Sequence, residues 1–278
     1  MRAPFIASLL FMACFAGCSL MGSLSPLRPL ERRMVFSPVA YPIGDWEPKG
    51  LDFEDAWFQS KTGPKLHGWY VDHPAPEGVA LLCHGNGGNI TVLAETLSVL
   101  SRRHNLSVLA FDYRGYGRSE GKPSETGILE DARTARTWLA DRTGVAESDV
   151  ILFGISLGGG VAVDLAQDGA RGLVLASTFT SLPAVAKHHV GWLPTSALMT
   201  YEMNSLEKIR KYRGPVLISH GDADEVVPFA HGERLYEAAP GPKRFIAIPG
   251  GKHNDPQPKE YRLALEEFIE ELPPQRRR

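Results

Sequence analysis

From about residue 51 onward the chain is organised in alternating blocks. The segments 79–83, 107–111, 150–153, 172–176, 215–219 and 244–248 are apolar runs without the every-other-residue polar positions of a half-exposed strand. A strand covered on both faces has no such alternation, so these runs predict the strands of a parallel sheet. Helical spacing separates them. Residues 91–103 carry apolar positions at Val92, Leu93, Leu97 and Leu100, and 125–140 carry Ile128, Leu129, Ala132, Ala135 and Leu139 as a stripe. Further helices are predicted over 157–166, 229–238 and 259–271. Ahead of the parallel runs, 52–59 and 66–71 predict an antiparallel pair turned around Gly63-Pro64. Strand and helix repeated in this order predict an α/β protein: an open, mostly parallel sheet of about eight strands with helices on both faces.

One connection breaks the rhythm. About 35 residues separate the strand ending near Thr178 from the one beginning near Pro215, long for a crossover. They include Trp192, Leu193, Leu198, Met199, Tyr201 and Met203. The segment 181–212 is read as a small lid with an apolar underside. The alternative is a crossover helix with a ragged surface loop.

The N-terminus follows a different pattern. After Arg2, residues 3–16 are largely apolar, too short a stretch for a comfortable bilayer span but the size of a secretory signal core. Phe15-Ala16-Gly17-Cys18 resembles a bacterial lipobox, in which cleavage precedes a cysteine that then carries lipid. Residues 1–17 are thus expected to be a lipoprotein-type signal peptide and Cys18 the lipidation site. Ser19 resembles the residue type that directs such proteins to the outer membrane, facing the periplasm. An ordinary secretory signal, giving a periplasmic or secreted protein, or an uncleaved anchor, is the other reading. Residues 18–50 read as a linker that becomes a wrapping segment where Phe36, Tyr41 and Trp46 supply something to bury; 51–272 form the main domain. Residues 273–278 form a basic tail, read as solvated, with contact to anionic headgroups as the alternative.

Composition narrows the function. With 30 Lys and Arg against 32 Asp and Glu, the formal net charge is −2, which offers no basic surplus for nucleic acid. There are three cysteines. Cys14 lies in the signal and Cys18 is the acylation site, so the mature chain keeps Cys83 alone and has no internal disulfide. In the run Val79-Ala80-Leu81-Leu82-Cys83, that thiol is expected to be a small core residue.

The chemistry centres on Gly154-Ile155-Ser156-Leu157-Gly158. A predicted buried strand runs into Ser156 and a predicted helix follows. A serine hydroxyl is a weak nucleophile and must be presented to a base and a substrate together; a sharp strand-to-helix turn does this, and Gly154 and Gly158 leave it room. The helix N-terminus favours negative charge developing beside it.

Three further blocks accompany this one: His84-Gly85-Asn86-Gly87-Gly88-Asn89, Phe111-Asp112-Tyr113-Arg114-Gly115-Tyr116-Gly117-Arg118-Ser119, and His220-Gly221-Asp222-Ala223-Asp224-Glu225-Val226-Val227-Pro228. In this order they resemble the α/β-hydrolase superfamily over about residues 50–272, with closest likeness to the subgroup of protein depalmitoylases and their bacterial relatives. The resemblance implies an α/β-hydrolase fold with Ser156 as nucleophile and His253, in the loop after the last strand, as base. It implies Asp224 as the acid that orients His253, with Asp222 as fallback, and chain order Ser, Asp, His. It implies an oxyanion hole from the backbone N–H groups of Asn86 and Leu157, the Asn86 side chain counting for little. His84 is expected beneath the loop as a structural residue, and Asp112 and Arg114 as loop anchors. His67, His73, His104, His188, His189 and His231 are expected at the surface or in the lid.

The expected activity is hydrolysis of a carboxylic ester or thioester through an acyl-enzyme on Ser156, with no metal and no cofactor. The expected partners are a small-molecule or acyl-group substrate and the membrane reached through Cys18, with no nucleic acid and no obligate protein partner. A serine peptidase of aminopeptidase type on the same fold, and an inactive envelope-anchored binding module, are the alternatives.

Overall fold

The computed structural model describes residues 28–60 and 62–276. The signal segment and Cys18 lie outside the described residues. The described chain begins with α1 (Arg28–Val35) and an extended segment reaching the antiparallel strands β1 (Glu54–Gln59) and β2 (Lys65–Val71). There follow β3 (Gly78–Cys83), α2 (Ala94–His104), β4 (Leu106–Phe111), α3 (Glu125–Thr143), β5 (Ile151–Ile155), α4 (Leu157–Leu165) and β6 (Gly172–Ala176). After a long connection come β7 (Val216–Gly221), α8 (Ala230–Ala238), β8 (Lys243–Ile248) and α9 (Lys259–Glu270). The strands form one eight-stranded sheet in the order β1-β2-β4-β3-β5-β6-β7-β8. Only β2 runs against its neighbours; the other pairings are parallel.

Each predicted apolar run is a strand, and the sheet buries both faces. Along β3, Val79, Leu81 and Cys83 join the core under α3 and α4, while Ala80 and Leu82 join the core under α2 and α9. The predicted stripe on α3 is buried at Ile128, Ala132, Ala135 and Leu139. Helix ends follow local chemistry: Ser124 caps α3 by accepting the Gly127 N–H at 3.2 Å, and Gly144, at φ 72°, ends it. β8 departs from the expectation of a strand covered on both faces. It forms the sheet edge, and its residues are partly exposed, because only β7 lies beside it.

The long connection carries α5 (Leu182–His189), α6 (Thr195–Leu198) and α7 (Ser205–Ile209). Tyr201 and Met203 are buried beneath it. Trp192, expected on its underside, instead faces solvent at 84% exposure. The wrapping segment buries Phe36 and Trp46 and leaves Tyr41 half exposed under the Arg118 guanidinium, 4.8 Å from its ring. In the basic tail, Arg276 stays exposed but is tied to the domain. The Arg276 backbone N–H donates to the buried Asp149 carboxylate at 2.9 Å and its guanidinium reaches the same group at 3.2 Å.

Candidate active site

At the end of β5 the chain turns through Ser156 at φ 52° and ψ −115° and enters α4 directly. A residue with a side chain in such a conformation costs about 1–3 kcal/mol and persists only where its surroundings fix it. Ser156 is fixed through its backbone. Its N–H donates to Ala176 O at 2.9 Å, and its carbonyl accepts the Gly159 N–H at 2.9 Å and the Thr178 hydroxyl at 2.7 Å. The flanking glycines are obligatory on contact distance: a Cβ on Gly154 would lie 2.4 Å from Gly158 O, and one on Gly158 only 2.1 Å from Cys83 O. The elbow thus touches β3 through bare backbone.

His253 reaches Ser156 from the loop after β8. Its Nε2 lies 3.0 Å from Ser156 Oγ, and its Nδ1 lies 2.8 Å from Asp224 Oδ2. Asp224 follows β7, and its side chain is fully buried. Its Oδ1 accepts the backbone N–H groups of Val226 at 2.9 Å and Val227 at 2.8 Å. His220, wholly buried behind it, donates Nε2–H to Val227 O at 2.8 Å and brings the same nitrogen within 3.3 Å of Asp224 Oδ2. Burial alone would raise the Asp224 pKa. The hydrogen bonds from His220, His253 and Val227 outweigh it and hold this carboxyl well below the usual carboxylate range. An ionised Asp224 accepts, so His253 Nδ1 carries the proton and Nε2 is left to accept from the Ser156 hydroxyl. A hydroxyl held against an imidazole that a buried carboxylate orients can lose its proton as it attacks an electrophile.

Asp222 stands elsewhere. Its Oδ1 accepts the Gly250 N–H at 2.6 Å and ties the loop of Asp224 to the loop of His253. The Ala223 N–H donates to Gly251 O at 3.0 Å in the same tie. Facing the elbow is the loop after β3, where a Cβ on Gly85 would stand in ordinary contact with Ser156 Cβ at 3.6 Å. Asn86 follows. Leu157 opens α4, where the first N–H groups of a helix have no intrahelical acceptor. The Asn86 side chain, discounted on sequence, makes three hydrogen bonds. His84 is buried beneath this loop and donates Nδ1–H to Gly85 O at 2.7 Å, and burial pushes its pKa down. Asp112 Oδ1 accepts the Ile90 N–H at 2.9 Å, and Arg114 pairs with Asp131 at 2.7 Å; both anchor loops.

Three histidines expected at the surface or in the lid are buried: His67, His104 and His231. Burial of an imidazole costs less where a ring nitrogen keeps a hydrogen bond, as it does in two of the three. His67 bonds Asp55 Oδ1 at 2.8 Å, and His231 Nδ1 accepts from Thr180 N at 3.2 Å, with burial first and then Arg234, His220 and His188 lowering its pKa to about 4. Burial likewise pushes the Cys83 thiol up to about 12, as suits a core residue. Thr178 and His220 are the supports that sequence reasoning missed. His220 sits in a block already singled out, while nothing local marks Thr178. Among the described residues, no group of three or more His, Cys, Asp or Glu could hold a metal ion, and no helix is long and apolar enough to cross a membrane.

A family model described as serine aminopeptidase, S33 matches residues 74–206. The uncharacterized protein Rv2307c of Mycobacterium tuberculosis (strain ATCC 25618 / H37Rv) is 40% identical over 239 residues, covering 85% of each chain. The alpha/beta hydrolase domain-containing protein WAV2 of Arabidopsis thaliana is 33% identical over 252 residues, 81% of this chain and 82% of that one. Among solved structures, the Pyrococcus furiosus esterase Pf2001 superposes with a TM-score of 0.68 at 21% identity, over 85% of this chain and 99% of that one. Est1E of Butyrivibrio proteoclasticus, with ferulic acid bound, gives 0.64 at 21% identity, over 78% and 99%. At these identities the two structures are likenesses of fold.

Proposed function

The chain belongs to the α/β-hydrolase superfamily, and from that premise we propose that it is a serine hydrolase cleaving carboxylic esters or thioesters through an acyl-enzyme on Ser156. The observation that carries the reading is the unbroken chain from Ser156 Oγ to His253 at 3.0 Å and from His253 to Asp224 at 2.8 Å. In the proposed steps, Ser156 Oγ bonds to the substrate carbonyl carbon as its proton passes to His253 Nε2. The carbonyl oxygen becomes an oxyanion held by the N–H groups of Asn86 and Leu157. Collapse breaks the bond to the alcohol or thiol, which leaves with the proton from His253. Water then attacks the acyl-enzyme, gives its proton to His253, and the acid departs as Ser156 regains a proton. Asp224 stays ionised throughout and stabilises the imidazolium. The segment 181–212 serves as the lid; its His189 Nε2 bonds Val226 O at 2.9 Å, two residues beyond the acid.

A panel of nitrophenyl esters of graded acyl length, acyl-thioesters and aminoacyl anilides tests the bond class. Esters or thioesters are expected to turn over faster than every anilide. A sharp preference for anilides would overturn the ester reading in favour of the serine peptidase that the family model's description keeps in view.

The proposal extends to location: cleavage before Cys18 and lipidation there tether the domain to a bacterial envelope, at the outer membrane facing the periplasm. Expression with a labelled fatty acid is expected to mark the protein, and Cys18→Ser to lose the mark. A mark that survives the substitution rules out Cys18 as the anchor.

A further inference from the structure

The loop that carries Asn86 has little packing of its own. Gly85, Gly87 and Gly88 surround the residue, and a Cβ on Gly87 would meet nothing within 4 Å. A backbone donor is only as well placed as its loop, so the stiffness must come from outside. His84 holds the Gly85 carbonyl from beneath, and at Asn86 itself most of the attachment comes from the N-terminal segment. The Asn86 carboxamide enters that segment as a peptide group would: Nδ2 donates to Val35 O at 2.8 Å, and Oδ1 accepts the Ser37 N–H at 2.9 Å. The Tyr116 hydroxyl donates to the same oxygen at 2.9 Å. Asn89 makes a second attachment, donating Nδ2 to Val39 O at 3.1 Å and to Ile43 O at 2.8 Å. The Val39 N–H donates to Gly88 O at 3.2 Å.

The segment is itself fastened on both sides. Downstream, it exchanges backbone bonds with Gly117: the Gly117 N–H donates to Val39 O at 3.0 Å, and the Tyr41 N–H donates to Gly117 O at 2.8 Å. Upstream, the Glu31 carboxylate accepts the N–H groups of Thr200 at 2.7 Å and Tyr201 at 2.9 Å. Phe36 packs edge-on against Tyr201 at 5.4 Å. The Asn86 loop and the returning arm of the long connection therefore share one support.

We propose that residues 31–43 form a positioning strap of the active site, which acts through the Asn86 side chain to hold the Asn86 backbone N–H where the oxyanion forms. This rests on the reading of Asn86 and Leu157 as the oxyanion donors. Asparagine suits the task because one planar group matches both a carbonyl and the N–H two residues on. Aspartate keeps the shape but turns lone pairs toward Val35 O, and alanine removes both bonds. A donor displaced by about 1 Å loses on the order of 100-fold in rate, whereas substrate binding in the ground state makes no such demand.

The test uses the full-length protein with Asn86→Ala, Asn86→Asp, Ser37→Pro, which deletes the strap's N–H, and the Asn86→Ala/Ser37→Pro double variant. Turnover of a nitrophenyl ester is measured beside inhibition by a trifluoromethyl ketone of matching chain, whose adduct with Ser156 places an oxyanion in the same position. The expected result is a kcat about 10- to 100-fold lower with KM unchanged, and ketone affinity weakened in step with kcat/KM. The double variant is expected to be no slower than the slower single one, since both changes cut one connection. Should Asn86→Ala fail to fold, the isosteric Asn86→Asp carries the test. Parental kcat and ketone affinity in the Asn86 variants, with Ser156→Ala inactive, overturn the strap and leave the hydrolase reading standing. Losses that appear in KM and thermal stability with ketone affinity intact also overturn it, as marks of a merely structural residue. Turnover that survives Ser156→Ala removes the reading beneath.

Discussion

Ser156→Ala is expected to lower ester turnover by about 10⁴-fold or more while the protein stays folded. The size follows from the proposed role: without Oγ no acyl-enzyme would form, and only the proposed oxyanion donors and substrate binding would remain. The fold survives because every structural task of Ser156 is a backbone task. Its N–H meets Ala176 O, its carbonyl meets the Gly159 N–H and the Thr178 hydroxyl, and alanine keeps all three bonds. Alanine also keeps the strain at φ 52°. Ser156→Gly relieves that strain and is expected to be as inactive but more stable, by roughly 1 kcal/mol. The checks are steady-state kinetics, a denaturation curve, and labelling by a fluorophosphonate probe. The parent should take up the label and the alanine variant should not. A labelled alanine variant places the nucleophile elsewhere; a folded parent that takes no label favours the inactive binding module.

Asp224→Asn is expected to cost about 10³- to 10⁴-fold in kcat with little change in KM. The isosteric amide still offers an oxygen to Val226 and Val227. Turned that way, it presents an NH₂ to His253 Nδ1, which then must accept, and the proton moves to Nε2, where it blocks the Ser156 hydroxyl. A kcat within tenfold of the parent would remove Asp224 from this role. Acid titration gives an independent sign. The folded-state pKa of Asp224 lies below its unfolded value, so the unfolded chain binds its proton more readily. The stability this carboxylate contributes is complete above the unfolded value near 4, and is lost as pH falls toward the depressed folded value. Asp224→Asn lacks this contribution, so its stability should fall less steeply on acidification, read from denaturation midpoints between about pH 5 and pH 2.

The sheet was largely legible because burial on both faces erases polar alternation, and the apolar runs at 79–83, 107–111 and 150–153 carry that mark in few residues. β8 departs from that mark for the complementary reason. From Phe245 to Ile248 it is apolar, but being an edge strand is a property of the sheet order, which a run of side chains does not encode. Trp192 shows the same limit, since a large apolar residue in a long connection has two possible sides.

The elbow at Ser156 lies between these cases. Its glycines, the strand before it and the helix after it are neighbours in the chain, so the sequence by itself determined the turn, the exposed hydroxyl and the helix N-terminus behind it. It also determined the order of the blocks, the last of which carries Asp224, with His253 after them in the chain. Tertiary structure decided what depends on approach across the sheet. It set Asp224 against His253 and sent Asp222 to Gly250. It buried His67, His104 and His231, giving His67 a bond to Asp55 and His231 one to Thr180, and placed Thr178 under the Ser156 carbonyl. It also gave the Asn86 side chain its hold on Val35 and Ser37. The physical reason is the range of the forces that shape each feature. Turn geometry and hydrophobic periodicity act over a few residues. A hydrogen bond between residues 49 positions apart, such as that from Ser37 to Asn86, exists only once eight strands have taken their order and register.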